Sequence, residues 1–92
     1  MDQRQNTSSI NQIIFKLNLG VDATSLYLLC CGIADTGEVI SYPDILSKWN
    51  GDTDSLKKSL ETLEQLQIIL GHGAPAIDNE TYELLPVEKW KI

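Results

Sequence analysis

The first periodic segment of the chain has apolar residues at the spacing of one helix face. They are Ile10, Ile13, Ile14 and Leu17, which follow the pattern i, i+3, i+4, i+7. This spacing predicts an N-terminal helix over residues 9–19, capped by Ser9, after a flexible polar tail at residues 1–8. Apolar residues also alternate from Phe15 to Val21, which is the spacing of a strand. The pattern therefore leaves helix and strand open for residues 10–19.

A nearly continuous apolar run over residues 26–34 predicts the next element. Asp22 ahead of this run is a good N-cap, and Gly37 after it suits a left-handed helix end. A helix that is apolar nearly all round is usually buried on most sides. We therefore expect the central helix of a small domain here, followed by a very short β-branched stretch at residues 38–40.

A strong helix-start signal follows at Ser41, Pro43 and Asp44. Serine is a good capping residue, proline suits the first turn, and a carboxylate is stabilised near the positive end of the helix dipole. The segment predicts a short helix whose buried face is supplied by Ile45, Leu46 and Trp49.

Asn50 and Gly51 break the chain after this short helix. Asp52 or Thr53 is then placed to cap a longer helix. The apolar residues of the longer helix form one stripe with spacings of four, three and three: Leu56, Leu60, Leu63 and Leu66.

The last part of the chain is strand-like. Residues 68–70 are a short apolar run and residues 81–85 resemble a returning strand, so together they predict an antiparallel hairpin. Residues 71–76 contain two glycines and a proline, and we expect them to be irregular. Pro86 closes the second strand and leaves a C-terminal tail over residues 86–92.

The order of these elements resembles the winged helix-turn-helix domains of bacterial, plasmid and phage proteins in transcription control and replication initiation. Two runs carry the resemblance, Asp35–Ser41 and Leu60–Ile69, although Gln67 stands where a glycine is usual. The resemblance covers residues 22–85. It implies an α+β, mostly α fold with a three-helix core and a two-stranded wing, to which the helix at residues 9–19 is additional.

The charge of the chain is unfavourable for binding nucleic acid. Seven Lys and Arg against thirteen Asp and Glu give a net charge of −6 and an isoelectric point near 4.5. Such a field repels phosphates and anionic membranes. No apolar run approaches the roughly 20 residues that span a bilayer, and the first nine residues lack the apolar core of a signal peptide. We therefore expect a cytoplasmic protein without a membrane role.

In domains of this kind, side chains at the start of the second helix of the helix-turn-helix reach base edges in the major groove. The corresponding candidates for DNA contact are Thr53, Ser55, Lys57 and Lys58. Asp52 and Asp54 lie among them and repel phosphates. Residues 71–81 of the wing contain no Lys or Arg. We therefore favour a solvated helix face over a DNA-reading one.

The sequence offers little for catalysis or metal binding, and we predict no enzyme, cofactor or metal site. Cys30 and Cys31 are adjacent in an apolar run, which is typical of small buried hydrophobic residues in a reducing compartment. A zinc site needs about four ligands, and the chain has two Cys and one His. His72 lies between two glycines. A catalytic histidine needs a carboxylate to orient it, and nothing in the spacing of Asp78 or Glu80 requires either carboxylate to fold back towards His72.

These observations favour a non-catalytic regulatory or adaptor module that acts through protein–protein interaction, either as a homodimer or with another protein. An amphipathic segment outside the minimal domain must bury its stripe either on its own domain, which is the commoner outcome, or on another subunit. Tryptophan is enriched at interfaces, although Trp90 is equally suited to packing on its own domain. The candidate partner contacts are therefore Ile10, Ile13, Ile14, Leu17 and Trp90. The alternative is a DNA-binding transcriptional or replication regulator that uses the helix starting near Thr53.

Overall fold

The computed structural model describes residues 10–72 and 81–92. These residues form an α+β structure that is mainly helical, with helices α1 (Val21–Asp35), α2 (Tyr42–Lys48) and α3 (Thr53–Gln65). The strands are β1 (Ile40–Ser41), β2 (Ile69–His72) and β3 (Thr81–Leu84), and two short 3-10 helices are η1 (Gln12–Lys16) and η2 (Val87–Lys89).

Among the described helices, none combines the length and the apolar character needed to cross a membrane. Some of the predicted features lie outside the described residues. These are the polar tail at residues 1–8, the cap Ser9, and the part of the wing that contains Asp78 and Glu80.

The three strands form one antiparallel sheet in the order β1-β3-β2. Tyr82 in β3 is aligned with Ile40 of β1 on one side and with Gly71 of β2 on the other. The predicted hairpin is present, but Gly71 and His72 belong to β2 rather than to an irregular loop. They pair with β3, and this long-range pairing outweighs the low strand propensity of glycine.

The N-terminal segment is not the helix predicted over residues 9–19. It forms only the five-residue η1, in which the side chain of Asn11 accepts a hydrogen bond from the backbone N–H of Ile13 over 3.0 Å. Asn18 and Gly20 both have positive φ angles, 56° and 95°, so the backbone leaves helical geometry soon after η1. The alternating pattern that suggested a strand does not form one either.

The start of α1 also differs from the prediction. Its N-cap is Gly20, with φ 95° and ψ 166°, and Asp22 lies in the first turn instead of capping the helix. That backbone conformation is essentially restricted to glycine, so it determines where α1 begins. Asp22 remains near the positive end of the helix dipole, where a carboxylate is favourable.

The other helix boundaries agree with the sequence signals. The hydroxyl of Ser41 accepts a hydrogen bond from the N–H of Asp44 over 3.3 Å at the start of α2. The carboxylate of Asp52 accepts one from the N–H of Ser55 over 2.8 Å at the start of α3. Gly37 has a φ of 84° after the end of α1. Gln67 has a φ of 57° after α3, at the position where glycine is usual in the domains that the sequence resembles.

The hydrophobic core lies between α1, α3 and the sheet, and α1 packs mainly against α3. Tyr27 in α1 connects this core with the segments at both ends of the described chain. Its hydroxyl accepts a hydrogen bond from the N–H of Asn11 over 3.0 Å. Its ring meets the ring of Trp90 edge to face, with centroids 5.8 Å apart and an interplanar angle of 84°. The indole N–H of Trp90 donates to the carbonyl of Leu85 over 2.9 Å.

Candidate functional site

The start of α3 carries the residues predicted to contact DNA, and it is built around the turn that joins α2 to α3. Asp52 caps α3, and the indole N–H of Trp49 donates to the backbone carbonyl of Asp52 over 3.1 Å. Trp49 is half-buried against the core. The turn is therefore held in one geometry by a side chain from the end of α2.

The hydroxyl of Ser55 is used in hydrogen bonds within this turn. Its hydroxyl donates to the carbonyl of Asp52 over 2.9 Å and accepts from the indole N–H of Trp49 over 3.3 Å. A hydroxyl has a single proton to donate, so contact with a base edge or phosphate as a donor would break the bond to Asp52. Of the four predicted contacts, Ser55 is thus the least available.

Thr53, Lys57 and Lys58 remain exposed on α3. Carboxylates surround them, because Asp52, Asp54 and Glu61 are exposed on the same helix or its cap. The backbone N–H of Ser55, which donates to the carboxylate, is the main cause that holds the pKa of Asp52 below its ordinary value, with a smaller contribution from the charge of Lys58. Asp52 is therefore ionised at neutral pH, and the start of α3 presents negative charge to any approaching phosphate.

The wing contributes one described pair of titratable side chains. Nε2 of His72 and Oε1 of Glu83 are 3.0 Å apart across β2 and β3, and both side chains are more than half exposed. The sequence suggested Asp78 or Glu80 as partners for this histidine; Glu83 is the partner that the described residues show. An exposed His–Glu pair is a surface interaction of small energetic value.

The predicted partner contacts near the N-terminus are largely used within the domain. Ile14 is fully buried, and Ile13 and Leu17 pack partly buried against the core. Ile10 keeps an exposed fraction of 37 %. Of the two outcomes that the sequence left open for this stripe, the structure shows packing on its own domain, which covers most of it.

Trp90, the remaining predicted partner contact, belongs to the core. Its exposed fraction is 7 %, and its ring and its N–H are engaged by Tyr27 and Leu85. A residue with this environment stabilises the fold and presents almost no surface to another molecule. The sequence left packing on the domain and contact with a partner open for Trp90, and it contained no signal that the neighbouring ring is Tyr27 of α1.

The surface that sequence reasoning missed is the outer face of α1. We define it by residues on the side of α1 opposite its buried residues: Val21, Ser25, Leu28, Leu29 and Gly32. Val21 is 81 % exposed, Leu28 and Leu29 are half-buried, and Ser25 and Gly32 are exposed. The helix was expected to be buried on most sides, and the outer face of α1 is the side that stays open. The detectable signal was the absence of any charged residue from Ala23 to Ala34.

Two grooves run along the outer face of α1. One, of about 450 Å³, lies between the first half of α1 and the turn at Trp49. The other, of about 290 Å³, includes Gly32 and has Glu38 and Lys48 in its lining. Leu29 and Lys48 line both grooves, so the two grooves lie next to each other along α1.

The two cysteines occupy the opposite, buried side of α1. Both are free and fully buried. Burial raises the pKa of Cys30 to about 12 and that of Cys31 to about 11. The nucleophilic form of cysteine is the thiolate, so these side chains act as small apolar residues at neutral pH. No cluster of three His, Cys, Asp or Glu suited to a metal is present in the described residues.

Comparison of the chain with protein families, with curated proteins and with solved structures gave no match. Its function is therefore inferred from the residues that its own surface exposes.

Proposed function

We propose that the chain is a winged helix-turn-helix domain that acts as a non-catalytic docking module for a protein partner. The fold assignment is supported by the element order α1, β1, α2, α3, β2, β3 and by the position of β3 between β1 and β2. Folds of this size serve many functions. The function must therefore be argued from the exposed surfaces.

The observation that carries the docking proposal is the outer face of α1. A surface helix in a small domain normally presents charged residues to solvent. In α1 the twelve residues from Ala23 to Ala34 contain none, although Gly32 and parts of Leu28 and Leu29 are open to solvent. Contiguous exposed apolar surface is characteristic of protein interaction sites.

A second candidate function is DNA binding through α3. It is favoured by Lys57 and Lys58, which are both exposed, and by Thr53 at the exposed start of the helix. It is opposed by Asp52, by Asp54 and by the net charge of −6. Because phosphate contacts supply most non-specific affinity, the balance of charge on α3 favours docking over DNA binding.

The two functions are distinguished by titrating a labelled duplex of mixed sequence with the protein at low and at moderate salt. We expect no change in fluorescence anisotropy at either salt concentration, and no enriched motif in a selection from randomised duplexes. Salt-dependent binding that is lost in the Lys57→Glu/Lys58→Glu variant would overturn the docking proposal in favour of DNA binding.

The matched control is Lys89→Glu/Lys91→Glu, which changes the net charge equally at two exposed lysines away from the start of α3. Any binding that arises only from overall charge is reduced equally in both double variants. Binding through α3 is reduced much more in the first variant than in the second.

A further inference from the structure

We infer that a polar cavity beside the starts of α1 and α3 binds the side chain of an arginine that a partner protein presents. This inference rests on the proposed docking function and adds the chemistry of the partner. The cavity has a volume of about 390 Å³, and its lining includes Asp22 and Ala23 of α1 and Asp54, Lys58 and Ser59 of α3.

Ser59 lies at the base of this cavity, because it belongs to the lining and yet is only 4 % exposed. Its hydroxyl has no hydrogen-bond partner among the described residues. The other two hydroxyls of the lining do have partners, since Ser55 donates to the carbonyl of Asp52 over 2.9 Å and Thr62 to that of Lys58 over 3.0 Å. A buried hydroxyl without a bond is destabilising. Ser59 therefore marks a position where an atom of a ligand completes the hydrogen bonding.

The charges of the lining favour a cation as that ligand. Three carboxylates, those of Asp22, Asp52 and Asp54, stand against the one ammonium group of Lys58. The carboxylate of Asp52 is already used by the backbone N–H of Ser55. Asp22 and Asp54 are exposed and have no ion pair among the described residues, so both remain available to a positively charged group.

The cation that suits this lining is an organic one with a long side chain. No three His, Cys, Asp or Glu of the described residues are placed to hold a metal ion. Leu19 and Ala23 add apolar surface to the cavity, which suits a hydrocarbon stem. A guanidinium group has five N–H donors and no acceptor, so it can bond the carboxylates and the hydroxyl of Ser59 together. The ammonium group of lysine is more strongly hydrated and loses more on leaving water.

The position of the cavity connects it with the proposed docking surface. Asp22 lines both the cavity and the groove between α1 and the turn at Trp49, and Val21 and Leu29 also line that groove. An arginine bound in the cavity therefore places the adjoining residues of its own chain next to the outer face of α1. The net charge of −6 also favours encounter with a basic segment.

The first test titrates the ¹⁵N-labelled protein with the tripeptide acetyl-Gly-Arg-Gly-amide and follows the chemical shifts of the backbone amides. We expect saturable shifts at Asp22, Asp54, Lys58 and Ser59. The tripeptide with lysine should bind more weakly, and the one with citrulline, which is uncharged and of similar shape, should not bind. The inference would be overturned by a lack of saturable shifts with arginine or by equal binding of either analogue. Neither result would affect the duplex titration that tests the docking function.

Ser59→Ala separates a ligand-binding role of the hydroxyl from a structural role. It should weaken binding of the arginine tripeptide by about tenfold, because a hydrogen bond to a charged group is lost. Without peptide, the variant should unfold at the same temperature as the parent or at a higher one, because alanine is the better helix residue. Ser47→Ala removes an exposed hydroxyl of α2 and should leave binding unchanged. Unchanged binding by Ser59→Ala, or a lower unfolding temperature, would contradict the inferred role.

Two charge substitutions in the lining should have opposite effects on the arginine tripeptide. Asp54→Asn is expected to weaken binding by about two- to fivefold, as is typical of an exposed ion pair, whereas Lys58→Gln should strengthen it. Glu61→Gln and Lys57→Gln make the same changes of charge at exposed positions of α3 outside the lining, so their effects should be smaller. Weaker binding by Lys58→Gln would overturn the inference.

Inorganic phosphate is the opposing probe at the same ionic strength. We expect it to leave the amide shifts of Asp54, Lys58 and Ser59 unchanged, because the carboxylates of the lining repel it. Saturable shifts with phosphate that are lost in Lys58→Gln would identify an anion site and overturn the assignment of an arginine.

Discussion

The backbone N–H of Ile68 donates to the carbonyl of Leu63 over 2.9 Å, and both side chains are fully buried. Between them, the N–H of Gln67 donates to the carbonyl of Glu64 over 3.0 Å. These two bonds and the apolar contact form a Schellman motif, which ends α3 and directs the chain into β2. Its central residue must be left-handed, and here that residue is Gln67 with a φ of 57°.

Gln67→Gly is therefore expected to stabilise the protein by about 1 kcal/mol. The left-handed conformation costs a residue with a Cβ about 1–2 kcal/mol. Glycine avoids this cost but loses more backbone entropy on folding, so the net gain in stability is smaller than the cost avoided. Urea unfolding monitored by circular dichroism measures the change. Gln67→Ala is the control, because it removes the long side chain but keeps the Cβ. An equal gain in both variants would show that the backbone conformation is not the cause.

Substitution of Trp90 is expected to destabilise the monomer. Trp90→Phe keeps most of the ring but removes the N–H that bonds the carbonyl of Leu85, and we expect a loss of about 1–3 kcal/mol. Trp90→Ala also removes the contact with Tyr27, and the expected loss is about 3–5 kcal/mol. The free energy of unfolding in urea measures both. Phe15→Ala is the control, because Phe15 is 55 % exposed. Unchanged stability in the Trp90 variants would contradict the assigned core role.

The cap at the start of α3 should make stability dependent on acidic pH. The pKa of Asp52 is lower in the folded chain than its ordinary value of 3.8, mainly because its carboxylate accepts a hydrogen bond from the N–H of Ser55. The stabilisation is present above the unfolded pKa and is lost as pH falls through the folded pKa.

Asp52→Ala should lower the midpoint of thermal unfolding at neutral pH, and its difference from the parent should shrink in acid. Asp52→Asn keeps a capping side chain that does not titrate, so it should remain closer to the parent at neutral pH. A difference between the parent and Asp52→Ala that stays constant as pH falls would show that ionisation of Asp52 is unimportant.

Cys30 and Cys31 should resist thiol reagents in the folded protein. Burial both removes access and raises the pKa of each thiol well above neutral pH, so reaction with an aromatic disulfide reagent at neutral pH requires unfolding. In denaturant both thiols should react rapidly. Fast labelling of the folded chain, without a change in its circular dichroism spectrum, would contradict the buried placement.

The sequence predicted those parts of the fold that depend on short-range chemistry. Ser41 and Asp52 cap α2 and α3 because a side-chain oxygen lies beside an unpaired N–H three residues later. Gly37 ends α1 because it tolerates a positive φ. Such signals are contained within a few adjacent residues, so they are visible without a tertiary structure.

The failures involve contacts between distant parts of the chain. Residues 10–17 match a helix pattern, yet their backbone is fixed partly by the bond from Asn11 to the hydroxyl of Tyr27. For Trp90 the sequence leaves packing on the domain and contact with a partner open, and the distant residue Tyr27 decides between them. The commitment of Ser55 to the turn depends on Trp49 from the preceding helix. None of these relationships has a periodic signature in the sequence.

The position of β3 in the sheet has a consequence for synthesis of the protein. In the described sheet, β1 and β2 each pair with β3 and not with one another, so neither can pair before residues 81–84 have been made. A nascent chain that stops earlier has helices but exposes unpaired strand edges, which are prone to aggregation and proteolysis. Translation must therefore pass residue 84 before the sheet closes, and a truncated product is expected to be degraded rather than to accumulate as a smaller folded protein.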